Sequence, residues 1–187
     1  MTAVRLSVVI PVYRGEETLP ALMAEIEPLT HTQTTPGGRE FCVEEVLLVW
    51  DRGPGSSDRV LRQLAREYSW IRPLWLSRNF GQHAATLAGM PSSGGDWIIT
   101  MDEDGQQDPA FIPMLLDTAY DQEAQLVYGT PSNPAPHSAM RNLASKTVKK
   151  VFAGGLADGG FAEFNSYRLV LGEIGRSVAA YTGTGIY

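Results

Sequence analysis

Trp97 to Pro109 reads WIITMDEDGQQDP, an apolar run that ends abruptly in Asp102, Glu103 and Asp104, with Asp108 close behind. A short apolar run of this kind suits a strand covered on both faces, and nothing in core packing asks such a strand to end in three carboxylates. Alternate residues of an extended segment share a side, so Asp102 and Asp104 converge while Glu103 points away. Two converging carboxylates with no Lys or Arg beside them repel unless a hard cation neutralises them. Oxygen ligands suit Mg2+ or Mn2+, which bridges to substrate phosphates. The segment therefore predicts a metal and diphosphate site on Asp102 and Asp104. A solvated acidic turn closed by Gly105 is the plainer alternative, and spacing alone does not separate the two.

Outward from this strand, apolar runs alternate with helical patterns. Arg5 to Val12 (RLSVVIPV), Val46 to Val49, Leu74 to Leu76 and Ala124 to Tyr128 read as further strands. Leu19, Leu22, Met23 and Ile26 set a helix within Glu16 to Leu29, with Thr18 as its N-cap and Pro20 in its first turn. Val60, Leu61, Leu64 and Tyr68 set a second helix, capped by Ser57 or Asp58 after the turn DRGPGSS at Asp51 to Ser57. Gln82 to Met90 and Phe111 to Tyr120 complete the helices, while His31 to Arg39 and Pro131 to His137 read as loops. The alternation predicts a mainly parallel sheet with helices on both faces, whose ligands gather beyond the carboxyl ends of the strands. Asp51 and Asp102 both stand at such ends.

A chain of 187 residues predicts one domain. Its net charge of −6 disfavours a nucleic-acid partner. Cys42 is the only cysteine, which excludes an internal disulfide and a cysteine zinc cluster. No apolar run approaches the roughly 20 residues that cross a bilayer. The absence of a charged-then-apolar leader predicts a cytosolic setting. Between Arg141 and Lys150, however, Arg141, Lys146, Lys149 and Lys150 flank Ala144, Val148, Val151 and Phe152 at helical spacing. Such a helix presents either an ordinary solvated basic face or a contact with lipid phosphates and an anionic membrane surface.

SVVIPVY at Ser7 to Tyr13, the strand-end Asp51, LSRNFGQHAATLAG at Leu76 to Gly89, and ITMDEDGQQDP at Ile99 to Pro109 together resemble glycosyltransferase family 2, most closely its polyprenyl-phosphate glycosyltransferases. The resemblance implies a GT-A fold, a nucleotide-diphosphate-sugar donor, here a UDP-sugar, a divalent cation and inversion at the anomeric carbon. It implies a polyprenyl-phosphate acceptor in cell-envelope biosynthesis and a peripheral position at the inner face of the membrane. By position, Pro11, Tyr13 and Asp51 fall at the nucleoside, and Asp102, Asp104 and Gln106 at the metal and diphosphate. Arg141 and Ser145 in RNLAS, and Arg168 in SYR, fall near the phosphates and the lipid-phosphate acceptor. Asp104, Gln106, Arg141 and Arg168 are thus the expected catalytic set, with Lys146, Lys149 and Lys150 added at the membrane by charge alone. The chain is read as a single catalytic domain over 1–187 that stops short of family members continuing into membrane helices.

The chain departs from the family pattern in places: Arg14 and Gly15 replace its Asn–Glu, Trp50 replaces the first of two aspartates with the turn after them lengthened to RGPGSSD, and Pro131 replaces an arginine. Two alternatives accompany the main reading, a transferase to a saccharide hydroxyl and a nucleotide-sugar-binding module without turnover.

Overall fold

The computed structural model describes residues 2–129 and 166–181. The first strand, β1 (Val4–Val12), is buried along almost its whole length and pairs in parallel with β3 (Glu40–Trp50) on one edge and β5 (Trp97–Thr100) on the other. The other edge of β3 receives β2 (Gln33–Thr34) antiparallel near its start and β4 (Ile71–Trp75) in parallel near its end. Beyond β5 the direction reverses: β7 (Arg168–Leu171) is antiparallel to β5, and β6 (Leu126–Tyr128) is antiparallel to β7. The sheet is therefore mixed, with a parallel centre of β4, β3, β1 and β5.

Both faces are covered, as the largely apolar β1 requires. Leu6, Val8 and Ile10 pack with Leu19, Leu22 and Met23 of α1 (Leu19–Ile26), Leu61 and Leu64 of α2 (Ser57–Glu67) and Leu116 of α4 (Ile112–Asp121). Val9, Leu47, Val49 and Ile98 pack on the opposite face with Ala85 of α3 (Gln82–Gly89), and Ile174 and Ala179 of α5 (Gly172–Tyr181) lie against them.

Several expectations are corrected. The stretch read as a loop, His31 to Arg39, contains β2, a short strand with too little apolar content to declare itself. Helix α1 is shorter than Glu16 to Leu29 and hands over to a 3-10 turn at Glu27–Thr30. Thr18 precedes α1 without a side-chain cap, its buried hydroxyl lacking a partner among the described residues, and the Leu22 amide donates to the Thr18 carbonyl. Ser56 holds the position before α2, so Ser57 and Asp58 lie inside the helix rather than capping it, and the Ser57 hydroxyl donates to the Glu16 carboxylate. Strand β7 and helix α5 were not anticipated. The basic segment with Arg141, Ser145, Lys146, Lys149 and Lys150, and Pro131 with its loop, lie outside the described residues.

The amino end of the sheet is locked by a buried carboxylate. A bulge inserts Glu44 between the pairs Leu6–Val43 and Ser7–Glu45, turning Glu45 onto the interior side of Ser7. Glu45 Oε1 accepts from Ser7 Oγ at 2.7 Å and from the Gly94 amide at 2.6 Å, and Oε2 takes the Arg72 guanidinium. Burial pushes this carboxyl up, but the Gly94 amide, Ser7 and Arg72 outweigh it and hold it below the usual glutamate range. A depressed folded-state value contributes stability above the unfolded value, and that contribution is lost as pH falls through the folded one. Glu45→Ala removes the acceptor shared by the Ser7 hydroxyl, the Gly94 amide and Arg72 and is expected to cost about 1–3 kcal/mol at pH 7. Urea unfolding at pH 7 and at progressively lower pH checks this: the gap between wild type and variant should narrow on acidification.

Candidate functional site

Three neighbouring parallel strands end at one cleft of about 400 Å³. Pro11, Val12 and Tyr13 enter it from β1, Asp51 from β3, and Asp102, Glu103 and Asp104 from β5, while Asn79, Gly81 and Gln82 at the start of α3 form the facing wall. Of the residues expected at the nucleoside and metal, Pro11, Tyr13, Asp51, Asp102 and Asp104 are all brought together here.

The three consecutive acids after β5 are directed to three different places. Glu103 is half-buried, and its oxygens accept the backbone amides of Tyr13 at 3.0 Å and Arg14 at 2.9 Å. Burial raises its pKa, the two amides oppose the rise, and the neighbouring charges of Glu16 and Asp104 add to it. Gly15 leaves room for this contact: a Cβ there would come within 2.7 Å of Glu103 Oε2 and of the Leu19 side chain. The departure at Gly15 thus has a local structural reason.

Asp102 is held by side chains from three elements. Its Oδ1 accepts from Gln82, and its Oδ2 accepts from Gln107 Nε2 at 3.0 Å and from Ser166 Oγ at 2.5 Å. Its own amide donates to Gln107 Oε1 at 2.8 Å. Asp104 is exposed, and the only contact to its carboxylate among the described residues is the Gln106 amide on Oδ1 at 3.0 Å. Gly105, at φ +70°, makes the turn that follows. That turn breaks the alternation, so Gln107 and not Gln106 reaches Asp102. The exposed Gln106 is not among the described residues lining the cleft.

Asp51 is 3% exposed, and it spans the cleft floor to the loop before α3. Its Oδ1 accepts the Phe80 amide at 2.7 Å and its Oδ2 the Gly81 amide at 2.8 Å, which fixes the RNFGQ segment as a wall. Trp50, one residue earlier, packs away from the cleft in an edge-on contact with Trp75 at 5.5 Å, and Arg62 of α2 lies over Trp75 at 4.4 Å. Its substitution for an acid therefore leaves the lining intact. His83 is exposed, and Arg78 stacks on Phe80 at 4.7 Å, in keeping with a turn-stabilising part.

Arg168, at the start of β7, does not line the cleft among the described residues. It pairs with Thr100 across the sheet, and its Nε donates to Thr100 Oγ1 at 3.1 Å. Gln82, Gln107, Ser166 and Thr100 carry no assigned part from the sequence, although Gln82 lies inside SRNFGQH, Thr100 and Gln107 inside ITMDEDGQQDP, and Ser166 inside SYR.

A divalent cation fits this donor set. Mg2+ and Mn2+ are commonly held by one or two carboxylates together with substrate phosphates and water. The cleft offers the open Asp104 and an Asp102 whose three donors leave part of its accepting capacity unused. Among the described residues no three His, Cys, Asp or Glu side chains form a ready-made cage. A cation held by these two carboxylates would fill the rest of its shell with other oxygens, such as water.

The model of glycosyl transferase family 2 matches residues 7–161, and the chain belongs to that family. An undecaprenyl-phosphate 4-deoxy-4-formamido-L-arabinose transferase of Klebsiella pneumoniae (strain 342) is 37% identical over 148 residues, covering 79% of this chain and 42% of the relative. The chain thus spans less than half the length of the curated relatives it matches. Among solved structures, glucosyl-3-phosphoglycerate synthase of Mycobacterium tuberculosis, in complex with Mn2+, UDP-glucose and phosphoglyceric acid, superposes with a TM-score of 0.64 at 17% identity, over 91% of this chain and 57% of that one. Mannosyl-3-phosphoglycerate synthase of Rubrobacter xylanophilus gives 0.64 at 16% identity, over 91% and 54%. These likenesses support the fold. No helix among the described residues is long and apolar enough to cross a membrane.

Asp51→Asn leaves one acceptor for two amides and turns a side-chain N–H toward the other. Amide exchange at Phe80 and Gly81 should accelerate, and the melting temperature should fall by an amount corresponding to about 1–3 kcal/mol. Hydrogen-exchange mass spectrometry of the 76–86 peptide is the measurement.

Proposed function

We propose that this chain transfers a sugar from a nucleotide-diphosphate sugar, specifically a UDP-sugar, to a polyprenyl phosphate, with inversion, on a GT-A fold and with Mg2+ or Mn2+. The observation that carries this reading is the convergence of Asp51, Asp102 and Asp104 on one cleft at the carboxyl ends of three adjacent parallel strands. The name of the Klebsiella relative supports a polyprenyl-phosphate acceptor, and the complex of the mycobacterial structure supports a nucleotide-sugar donor used with Mn2+.

Pro11, Tyr13 and Asp51 bound the nucleoside end. Asp51 gives both oxygens to backbone amides and so acts there by fixing the wall, with its remaining lone pairs turned to a base N–H or ribose hydroxyl. Asp104 and Asp102 would hold the cation at the diphosphate, and the cation would neutralise charge developing on the departing nucleoside diphosphate. In the transfer, an oxygen of the acceptor phosphate attacks the anomeric carbon from the face opposite the diphosphate. The new C–O bond forms as the old one breaks, and the electron pair leaves with the diphosphate. A phosphate monoester is already ionised at neutral pH, so this acceptor needs no general base, which a saccharide hydroxyl would. Arg168, with Arg141 and Ser145, receives the acceptor phosphate, because a guanidinium fork matches phosphate oxygens. By the family resemblance Gln106 serves the diphosphate, although it does not line the cleft among the described residues, and Lys146, Lys149 and Lys150 serve an anionic membrane surface at the inner, cytoplasmic face.

Release of UDP from UDP-sugars with Mn2+, measured with and without a short-chain polyprenyl phosphate, tests the proposal. Release that depends on the lipid phosphate, with the sugar recovered on lipid by mass spectrometry, is expected. Equal release without acceptor, or transfer only to a saccharide, would contradict it.

A further inference from the structure

Thr100 ends the buried strand WIIT and is 2% exposed, a place where packing alone would be served equally by valine. Its hydroxyl is used twice. Oγ1 donates to the Ser166 carbonyl at 2.6 Å and accepts from Arg168 Nε at 3.1 Å. Ser166 continues the chain on its other side, donating from Oγ to Asp102 Oδ2 at 2.5 Å while accepting from Gln107 Nε2 at 2.7 Å.

The direction of every bond is fixed by its ends. Gln107 Nε2 and Arg168 Nε can only donate, so the Ser166 proton must lie on Asp102 and the Thr100 proton on the Ser166 carbonyl. A continuous path of three hydrogen bonds and the Ser166 residue itself thus runs from the Arg168 cation to the Asp102 anion. It consumes Nε of Arg168, and among the described residues no protein group accepts from the terminal guanidinium nitrogens, the pair that suits a phosphate.

We propose that Ser166 and Thr100 are positioning residues that set Arg168 against Asp102, so that the acceptor-phosphate group and the donor-side carboxylate are held as one unit. The inference rests on the reading of Arg168 as an acceptor-phosphate residue given above. Neither hydroxyl touches a reacting atom. Thr100 acts through Arg168, and Ser166 acts through Asp102.

The test uses the full chain, Mn2+, a UDP-sugar and a short-chain polyprenyl phosphate, with melting temperatures recorded for each variant. Thr100→Val should lower transfer about 10- to 100-fold while UDP affinity stays within about threefold of wild type. Thr100→Ser, which keeps the hydroxyl, should restore transfer. In an Arg168→Ala background Thr100→Val should cost nothing further, a non-additivity that general loosening of the sheet would not produce. Ser166→Ala, read by calorimetry alone, should weaken Mn2+–UDP binding about tenfold in wild type and not at all in an Asp102→Asn background. Wild-type transfer by Thr100→Val, or a full additive loss on top of Arg168→Ala, would overturn the Thr100 half. Unchanged Mn2+–UDP affinity in Ser166→Ala would overturn the Ser166 half. Failure of wild type to transfer to any polyprenyl phosphate would overturn the acceptor reading and the Thr100 half with it, while the calorimetric arm still decides Ser166.

Discussion

A strand that delivers three carboxylates in succession must find three different uses for them, because like charges this close cannot share one environment without raising one another's cost. The end of β5 meets that constraint by divergence. Glu103 turns back to the amides of Tyr13 and Arg14, Asp102 is shared among Gln82, Gln107 and Ser166, and Asp104 stays open to the cleft. Glu103 thereby fixes the exit of β1, and Asp102 fixes both the start of α3 and the approach to β7. The cleft has its shape because these acids hold its sides.

Asp51 supplies the corresponding constraint across the floor. A carboxylate at 3% exposure is tolerable only with donors on its oxygens, and the amides of Phe80 and Gly81 provide them. The SRNFGQH segment is therefore held from two sides, by Asp51 at its glycine and by Asp102 at Gln82. This explains physically why the two sequence elements occur together: one is the wall and the other is the post to which it is tied. At the opposite end of the sheet Glu45 binds Ser7, Gly94 and Arg72, so the ends of β1 are each closed by a buried or half-buried carboxylate.

The architecture was legible where the pattern was periodic and local. The apolar runs of β1, β3 and β5 mark the parallel centre, and alternation brings Asp102 and Asp104 to the cleft; Glu103 lines it as well, with its carboxylate turned to the amides of Tyr13 and Arg14. What Glu103 binds was not legible, because Tyr13 and Arg14 lie about ninety residues away in sequence. Gln106 is expected at the diphosphate by resemblance alone; in the structure the left-handed Gly105 ends the alternation, and Gln107 is the glutamine that reaches Asp102. The polar strand β2 gave no hydrophobic signal. Strand β7, only four residues long, is recognised by the partner it pairs with rather than by its own sequence. Thr100 and Ser166 lie inside ITMDEDGQQDP and SYR, but their part is not legible for a related reason: single hydroxyls acquire meaning only when β5 and β7 are brought side by side.

The division of labour among the three acids is the centre of the account, and calorimetric titration of Mn2+–UDP into Glu103→Gln and Asp104→Asn, with melting curves on the same samples, tests it most directly. Asp104→Asn should lose at least about tenfold in affinity and melt with wild type, since an exposed carboxylate contributes little to packing. Glu103→Gln should keep its affinity within about threefold and melt earlier, because one of two backbone amides loses its acceptor. Wild-type affinity in Asp104→Asn, or a Glu103→Gln variant that melts normally and binds poorly, would contradict the assignment.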